Sequence, residues 1–433
     1  MLEPLRALVS QRAVTRTRVL CALLALASTT AYGQNGGLTL DTALYQATNR
    51  SAAIQASQSS VLASTHAAVK ADQLPDPMLK AGIDNLPING PDRYSLTQDF
   101  MTARYVGIEQ EWVSSGKRER RSNLANRIVD KDQAATLVQL ANTRQQTAIA
   151  WLDAAYAQRA LALSNALIEH MTHELAATRA SYRGLSASAD DVTQAQIMRS
   201  QVKDQLLKAQ QASRSALITL SRWVAAPVTT IAGDIPPLES HVATLTQEEL
   251  NQVQPELLAA ERDIYVADAD TSVASSNRTP NWTWGVTYQQ RGSQYSNMVS
   301  VGVSIPLPIS RANRQDQDVA EKAALGNKAR LMLRETQRQV HANIQNLSTS
   351  LANGRERIAS LNSTLLPAVA QQVRLATAAY KSGSGSLASV FNAKRTQLEA
   401  QLQVVDLERD VAQVWAQLEY QIVPNSNPLG QKE

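Results

Sequence analysis

The longest uninterrupted helical pattern constrains this chain more than any other feature. No proline occurs in residues 117–183, and apolar residues recur there at steps of three or four. They include Ile149, Leu152, Tyr156, Ala160, Leu163, Leu167, Met171 and Leu175. At 1.5 Å per residue, a helix of roughly 66 residues reaches about 100 Å, far beyond the helices of ordinary globular domains. The sequence therefore predicts a long rod.

A second long amphipathic run covers residues 313–381, in which Pro367 is expected to kink the helix without ending it. Each long run is followed by a short break that contains glycine. A helical pattern of about half the length comes next, over 190–224 in the first case and 387–423 in the second. The sequence therefore predicts two long helical hairpins.

Shorter helical patterns, 40–73 and 247–276, precede the hairpins, and Pro75, Pro77 and Pro280 are expected to end them. After these prolines the apolar period changes from 3.6 to 2, which is typical of strands. The alternating apolar residues are Leu79, Ala81, Ile83, Val106, Ile108 and Trp112 in the first half, and Trp282, Trp284, Val286, Tyr288, Val299, Val301, Val303 and Ile305 in the second. This pattern predicts four strands in two hairpins.

The order helix, strand, strand, long helix, turn, helix occurs twice, at a spacing of roughly 195 residues, which indicates an internal duplication. The predicted organisation is an export signal at 1–33, a first repeat at 34–226, a second repeat at 227–423 and a flexible tail at 424–433. The first repeat holds a β-hairpin at 78–112 and a helical hairpin at 117–224, and the second holds them at 281–306 and 313–423.

The first 33 residues have the layout of an export signal, with arginines before an apolar run and a small-residue end. The segment carries four arginines and one glutamate, so most of the net charge of +4 leaves with it and gives no indication of nucleic-acid binding. Cys21, the one cysteine, lies inside this segment, so the mature chain has no thiol ligand or disulfide. Lipidation of Cys21 is the alternative, but the preceding residues depart from a lipobox.

No stretch after residue 34 approaches the roughly 20 apolar residues of a spanning helix, so any membrane crossing must use strands. Four strands cannot close a barrel, and open edges are costly in lipid because their amides stay unpaired. Three copies would supply twelve strands, within the range of outer-membrane barrels. The alternative is a soluble protein whose sheet covers an ordinary core, and helices of about 100 Å argue against it.

The segment Tyr182-Arg183-Gly184-Leu185-Ser186 with Asp191-Val192, and its echo at Tyr380, Gly383 and Leu387, resembles the TolC-like outer membrane factors of bacterial tripartite efflux pumps. The resemblance covers about residues 38–423. It implies a mainly α fold with a small membrane β part: long helical hairpins forming a trimeric periplasmic α-barrel below a shared 12-stranded transmembrane β-barrel. It also implies a homotrimer, a periplasmic adaptor protein and an inner-membrane RND pump as partners.

Further motifs around the first strand hairpin resemble those of the heavy-metal branch of this family. Members of that branch serve resistance pumps of the cobalt-zinc-cadmium and copper-silver kind. They are Leu74-Pro75-Asp76-Pro77, Asp84-Asn85-Leu86-Pro87 and Asp99-Phe100-Met101-Thr102. The expected function is therefore passive conduction of heavy-metal cations through the outer membrane. A type I secretion exit duct and a non-pore periplasmic coiled-coil scaffold are the alternatives.

The breaks between the helix arms are the predicted contacts for the adaptor, because exposed glycine backbone suits end-on docking. The predicted docking residues are Arg183, Gly184, Leu185, Ser186, Ser382, Gly383, Ser386 and Leu387. The alternative is that they only form turns. Asp190 and Asp191 are predicted to form a carboxylate ring at the pore gate. The alternative is that Asp190 caps the next helix, with Asp191 in its first turn.

His170 and His173 share one helical face, but two ligands do not make a metal site, so none is predicted. The sequence contains no phosphate-cradling glycine loop, nucleophile elbow or HExxH motif. We therefore expect no catalytic residues, no cofactor and no enzymatic activity. The expected partners are outer-membrane lipid and the other pump components, and no nucleic acid.

Overall fold

The computed structural model describes residues 37–185 and 187–423. The expected export signal with Cys21, the docking residue Ser186 and the expected tail lie outside these residues. The helices are α1 (Leu40–Arg50), α2 (Ala52–Ala71), α3 (Ser115–Arg183), α4 (Ala189–Val224), α5 (Gln247–Val253), α6 (Pro255–Ser276), α7 (Gln315–Ser360), α8 (Leu366–Lys381) and α9 (Leu387–Glu419). The strands are β1 (Met78–Asp84), β2 (Ala103–Trp112), β3 (Trp282–Gln290) and β4 (Met298–Ser304).

The first long helix is confirmed: α3 contains 69 residues without a break. The second long arm consists of α7, with 46 residues, a π-helical turn over Leu361–Leu365, and α8. Pro367 is the second residue after the π turn, so the expected disturbance near this proline takes the form of a wider helical turn. In this turn the N–H of Leu366 donates to the carbonyl of Leu361.

The two shorter helical patterns each divide into two helices, which the periodicity did not show. The first breaks at Ser51, which is extended and accepts a hydrogen bond from the Ile54 N–H as the N-cap of α2. The second breaks at Gln254, because Pro255 starts a new helix and cannot continue the old one. The last helix, α9, ends at Glu419, four residues before the expected end at 423.

The four strands form one antiparallel sheet in the order β1-β2-β3-β4. The two expected hairpins are present, and β2 also pairs with β3, with Trp112 opposite Trp282. This pairing joins the two copies of the repeat. Helices continue the strands in the same order, since α2 packs on α3, α3 on α6 and α6 on α7. The result is a wall whose edges are β1 with α2 and β4 with α7.

The main core lies at the waist of the molecule, where α1, α3, α4, α7 and α9 meet. Two tryptophans in it fix the connecting segments: Trp151 donates its indole N–H to the carbonyl of Leu38, and Trp415 donates to that of Glu239, each at 2.8 Å. These bonds satisfy a polar group on each large buried side chain. The waist therefore ties the segment that contains Leu38 and the joint between the copies to the rods.

Below the waist the packing order changes, because α4 now packs on α3, α3 on α9, and α9 on α8. A second core lies near the lower ends of these helices. It is formed by Met171, Leu175, Ala195, Met198, Val202, Leu387, Val390, Phe391 and Leu398. In the described part of the chain, no helix combines the length and the apolar character needed to cross a bilayer.

Candidate channel wall and helical tips

The register of the sheet separates polar from apolar side chains. One row across all four strands is polar or lacks a side chain, and it contains Lys80, Gly107, Thr287 and Ser300. The next row is apolar, and it contains Leu79, Ile108, Val286 and Val301. Because side chains alternate between the faces of a sheet, these two rows lie on opposite faces, one polar and one apolar across all four strands.

The apolar face is not covered by any other part of the described chain. Leu79 is 74% exposed and Val301 is 73% exposed, and side chains on β2 and β3 of the same face are also exposed. An uncovered apolar face of this width is unusual for a soluble monomer and marks a contact with lipid or with another protein. The tryptophans Trp112 and Trp282 lie on this face at the helical end of the sheet, with ring centroids 6.2 Å apart.

The polar face carries charged groups that bond to one another. Lys80 forms an ion pair with Glu109 on the neighbouring strand. Glu111 accepts a hydrogen bond from Asn281 at 2.7 Å, and Asn281 in turn accepts one from the Lys117 ammonium at 2.8 Å. This relay links β2, the start of β3 and the start of α3. It ties the strand-to-helix transition of the first copy to the start of the first strand of the second copy.

The first tip connects α3 to α4. The N–H of Gly184 donates to the carbonyl of Ala180, and Leu185 adopts a left-handed backbone conformation with a φ of 61°. The side chain of Leu185 is 94% exposed. Arg183 and Gly184 are exposed as well, so the docking surface predicted at this tip is open to solvent.

The second tip connects α8 to α9, and it differs from the first. Ser382 and Gly383 are exposed, and Gly383 has a φ of 74°, a conformation that favours glycine. Ser386 is the N-cap of α9 and accepts a hydrogen bond from the Ser389 N–H. Leu387 is only 5% exposed and belongs to the lower core, so its side chain does not lie on the predicted docking surface of the protomer.

The two aspartates predicted at the gate have different surroundings. The alternative in which Asp190 caps α4 is wrong, because the N-cap is Ser188, although Asp191 does lie in the first turn. Asp191 completes a capping box, accepting from the Ser188 N–H at 2.9 Å and from the Ser188 hydroxyl at 2.8 Å. Asp190 lies in the first turn and is exposed. The arrangement leaves Asp190 as the freer carboxylate of the pair.

His170 and His173 are both exposed on α3. Within residues 37–185 and 187–423, no group of three or more His, Cys, Asp or Glu side chains is placed to hold a metal ion. Nearby, Glu174 and the Lys394 ammonium form an ion pair at 2.5 Å that joins α3 to α9. Sequence reasoning missed this bond because its partners belong to different copies of the repeat.

Residues 246–421 match the family model described as outer membrane efflux protein. A curated relative, the cobalt-zinc-cadmium resistance protein CzcC of Cupriavidus metallidurans, is 24% identical over 378 residues, which cover 85% of each chain. This level of identity extends over both copies of the repeat. The predicted family resemblance is confirmed.

Solved structures share the fold. The outer membrane protein VceC of Vibrio cholerae has a TM-score of 0.70 at 16% identity, with 88% of this chain and 95% of that chain covered. CusC has a TM-score of 0.74 at 14% identity, with 90% of this chain and 95% of that chain covered. Its structures are described as showing the conformational changes that accompany folding and transmembrane channel formation. A membrane protein from Pseudomonas aeruginosa has a TM-score of 0.75 at 16% identity, with 88% and 90% covered. The predicted fold class is confirmed.

Proposed function

We propose that this chain, which belongs to the outer membrane efflux protein family, is the exit channel of a tripartite efflux pump that exports heavy-metal cations. The family assignment locates the protein in the outer membrane, and its rods extend into the periplasm. The observation that carries the channel function is the four-stranded sheet with one polar face, one uncovered apolar face and two open edges.

Closure of this wall requires more copies of the chain. The edges of one protomer are different, β1 with α2 on one side and β4 with α7 on the other, so copies join head to tail into a ring. Three copies give twelve strands, whose apolar faces contact lipid while Lys80 and Glu111 face the lumen. The protein is therefore a homotrimer with a shared barrel.

A matched pair of substitutions in β4 tests this arrangement. Val301→Arg places a charge on the lipid face and should cost about 2–4 kcal/mol near the bilayer centre, whereas Ser300→Arg places it toward the lumen. We expect outer membranes to contain trimers of Ser300→Arg and few of Val301→Arg, measured by heat-modifiable migration in gels. Equal trimer levels for the two variants would contradict the proposed orientation.

Metal cations are the proposed cargo, supported by the resistance function in the name of the curated relative. The channel itself is passive, and an inner-membrane RND pump supplies the energy. A deletion strain should lose resistance to cobalt, zinc or cadmium and regain it with the wild-type gene. The same strain is challenged with copper, silver and several drugs, and loss of drug resistance alone would overturn the metal assignment.

The adaptor protein is proposed to dock on the exposed tip residues, Arg183, Gly184, Leu185, Ser382 and Gly383. An apolar side chain that is almost wholly exposed, as Leu185 is, suits a contact that forms only in the assembled pump. Leu185→Asp should abolish resistance while trimers still form, and Leu185→Met should retain resistance. Full resistance of the Leu185→Asp strain would exclude a contact at this position.

Asp190 is proposed as the gate carboxylate, repeated three times around the pore mouth. Three carboxylates in a narrow aqueous opening favour cations over anions. In planar bilayers, Asp190→Asn should reduce the cation preference of the channel, and Asp191→Asn should instead lower thermal stability because it breaks the capping box. An unchanged ion preference in Asp190→Asn would remove this residue from the gate.

A further inference from the structure

The apolar face of the sheet becomes polar at its outer end, which is the end away from the helices. Ile83, Arg104 and Gln290 lie side by side there, in one row across β1, β2 and β3. Arg104 shares its face with Val106 and Ile108, because residues two apart on a strand point to the same side. A positive charge therefore lies at the outer border of the face that is proposed to contact lipid.

The guanidinium of Arg104 has no partner within residues 37–185 and 187–423, where it forms neither an ion pair nor a hydrogen bond. The side chain is half-buried, and of its three nitrogen atoms only Nε is buried. The two Nη atoms are therefore open to the surroundings of the sheet and can donate to a ligand. A charge at the border of an apolar face is unfavourable without a counter-charge, so this position favours an anion.

The carboxylates of the outer strand ends and loops do not supply that anion. They are Asp84, Asp92 and Asp99, and in the described chain none of them forms an ion pair with Arg104. Asp99 instead accepts hydrogen bonds from the backbone of its own turn, at 2.7 and 3.1 Å. The loop between β3 and β4, residues 291–297, contains no aspartate or glutamate. A second copy that joins β1 through its β4 edge therefore brings no carboxylate from that loop.

The length of β2 indicates the depth of Arg104 in the membrane. Trp112 and Trp282 lie at the helical end of the apolar face, and aromatic residues of this kind are typical of the membrane–water interface. Arg104 lies on the same face as Trp112, eight residues away along β2, which corresponds to about 26 Å of strand. With a strand tilt of about 35–45°, the height between them is about 20 Å, close to the apolar band of outer-membrane barrels. The guanidinium is therefore at the level of the outer-leaflet headgroups, within reach of its long side chain.

We propose that Arg104 binds the phosphate group of a lipid in the outer leaflet, an inference that rests on the proposed orientation of the sheet in the membrane. A planar guanidinium with two free Nη atoms can donate to two oxygens of one phosphate. A phosphorylated lipid fits this site better than a soluble anion, because Ile83 and Val106 beside the arginine are apolar, with exposed fractions of 46% and 47%. The acyl chains of a lipid cover these two side chains while its phosphate meets the charge.

The alternative role of Arg104 is to extend into water at the membrane surface without binding a particular group. In that case the removal of its charge would leave lipid binding unchanged. The two roles differ in whether the affinity depends on the phosphate of the lipid, which can be measured directly.

The test is native mass spectrometry of the purified full-length trimer in detergent. The probe is lipid A with two phosphates, the phosphorylated glycolipid of the outer leaflet of bacterial outer membranes. The same lipid without phosphates and inorganic phosphate alone are the controls. We expect lipid A to remain bound and both controls to bind at least about tenfold more weakly. Arg104→Gln should weaken lipid A binding by a similar factor, whereas Arg214→Gln, an exposed position on α4, should have no effect.

A matched pair of substitutions at Gln290 tests the site without altering Arg104. Gln290 lies directly opposite Arg104 on β3 and is exposed, so both variants should fold. Gln290→Glu supplies a carboxylate that pairs with the guanidinium and repels phosphate, and it should weaken lipid A binding at least about tenfold. Gln290→Lys adds a second positive charge and should strengthen binding.

Three results would overturn the proposal: no binding of lipid A, equal binding of the lipid without phosphates, or unchanged lipid A binding in Arg104→Gln. Equally strong binding of inorganic phosphate would overturn the assignment to a lipid. If Arg104→Gln fails to fold, the two Gln290 variants decide, and equal binding by both would contradict the site. Failure of the proposed function is recognised separately, because it appears as equal trimer levels of Val301→Arg and Ser300→Arg.

Discussion

The two long hairpins share one sequence plan but differ in how the long arm is built. In the first hairpin α3 runs for 69 residues without a break. In the second, the π turn at Leu361–Leu365 separates α7 from α8 just before Pro367. A proline inside a helix removes a donor and clashes with the preceding turn, and a wider turn relieves both problems. Here the hydroxyl of Thr364 also bonds to the carbonyl of Ser360 at 2.6 Å.

The tips differ in a related way. Leu185 at the first tip is exposed, whereas Leu387 at the second is buried in the lower core. The first tip places its leucine in the connecting turn, while the second places it as the first residue of α9, just after the N-cap. A shift of four residues relative to the helix start therefore changes an exposed side chain into a core side chain. Duplication preserved the pattern and left the packing free to diverge.

Single-residue deletions in the two long arms should give the largest difference between them. Deleting Thr172 from α3 rotates everything after it by about 100°, which turns Leu175 away from the lower core. Deleting Ser363 together with Pro367→Ala converts the π turn into ordinary helix and leaves both flanking segments in register. We expect the first variant to lose the folded trimer and the second to keep it, as judged by size-exclusion chromatography and circular dichroism.

If the deletions of Thr172 and Ser363 are tolerated equally, the π turn does not behave as an α-helical turn with one inserted residue. The single variant Pro367→Ala, without the deletion, is the control for the proline itself.

Aspartate substitutions at the two tip leucines should differ strongly in stability. Leu387→Asp places a charge in the lower core and should lower the free energy of unfolding by about 3–5 kcal/mol. Leu185→Asp changes an exposed side chain and should lower it by less than about 0.5 kcal/mol. Denaturant unfolding of the purified proteins measures both values. Similar losses for the two variants would show that the first tip is also packed.

The second hairpin also depends on a close helix contact at the waist. A Cβ added at Gly354 of α7 would clash with Cγ2 of Val411 in α9. Gly354→Ala should therefore cost about 1–3 kcal/mol through overpacking. Val411→Ala in the same chain should restore part of this loss because it removes the clashing methyl groups. Additive losses in the double variant would argue against direct contact.

The smallest expected effect concerns Asp153 of α3, which accepts a hydrogen bond from Gln413 of α9 at 2.6 Å. Burial raises the pKa of Asp153 above its usual value, although the Gln413 bond and the Arg409 charge act in the opposite direction. Folding therefore favours the protonated carboxyl. The associated stability is present below the unfolded pKa and is lost as the pH rises through the higher folded pKa.

Asp153→Asn should accordingly raise the melting temperature by about 1–3 °C at neutral pH. The difference should shrink toward zero near pH 3, where the aspartate is protonated in both states. Differential scanning calorimetry of the two proteins over this pH range measures the effect. A lower melting temperature of Asp153→Asn at neutral pH would show that the ionised form is favoured at the waist.

Local periodicity was sufficient to predict the helices, the strands and their duplication. An apolar residue every three or four positions defines a helix face, and one at every second position defines a strand face, without reference to the rest of the chain. The breaks at Ser51 and Gln254 were missed because a short interruption leaves the apolar pattern almost unchanged. The cap at Ser188 was missed because Asp190 is an equally suitable capping residue in the same short segment.

The sequence by itself determined that the chain consists of long rods and amphipathic strands in two copies. The tertiary structure decided which surfaces meet: β2 with β3 across the copies, Glu174 with Lys394, and Leu387 rather than Leu185 in the lower core. It also decided that the buried Oε1 of Gln254 has no hydrogen-bond partner in the described part of the chain. The physical reason is that a periodic pattern shows which face of an element must be covered, whereas the covering residues lie far away in the chain.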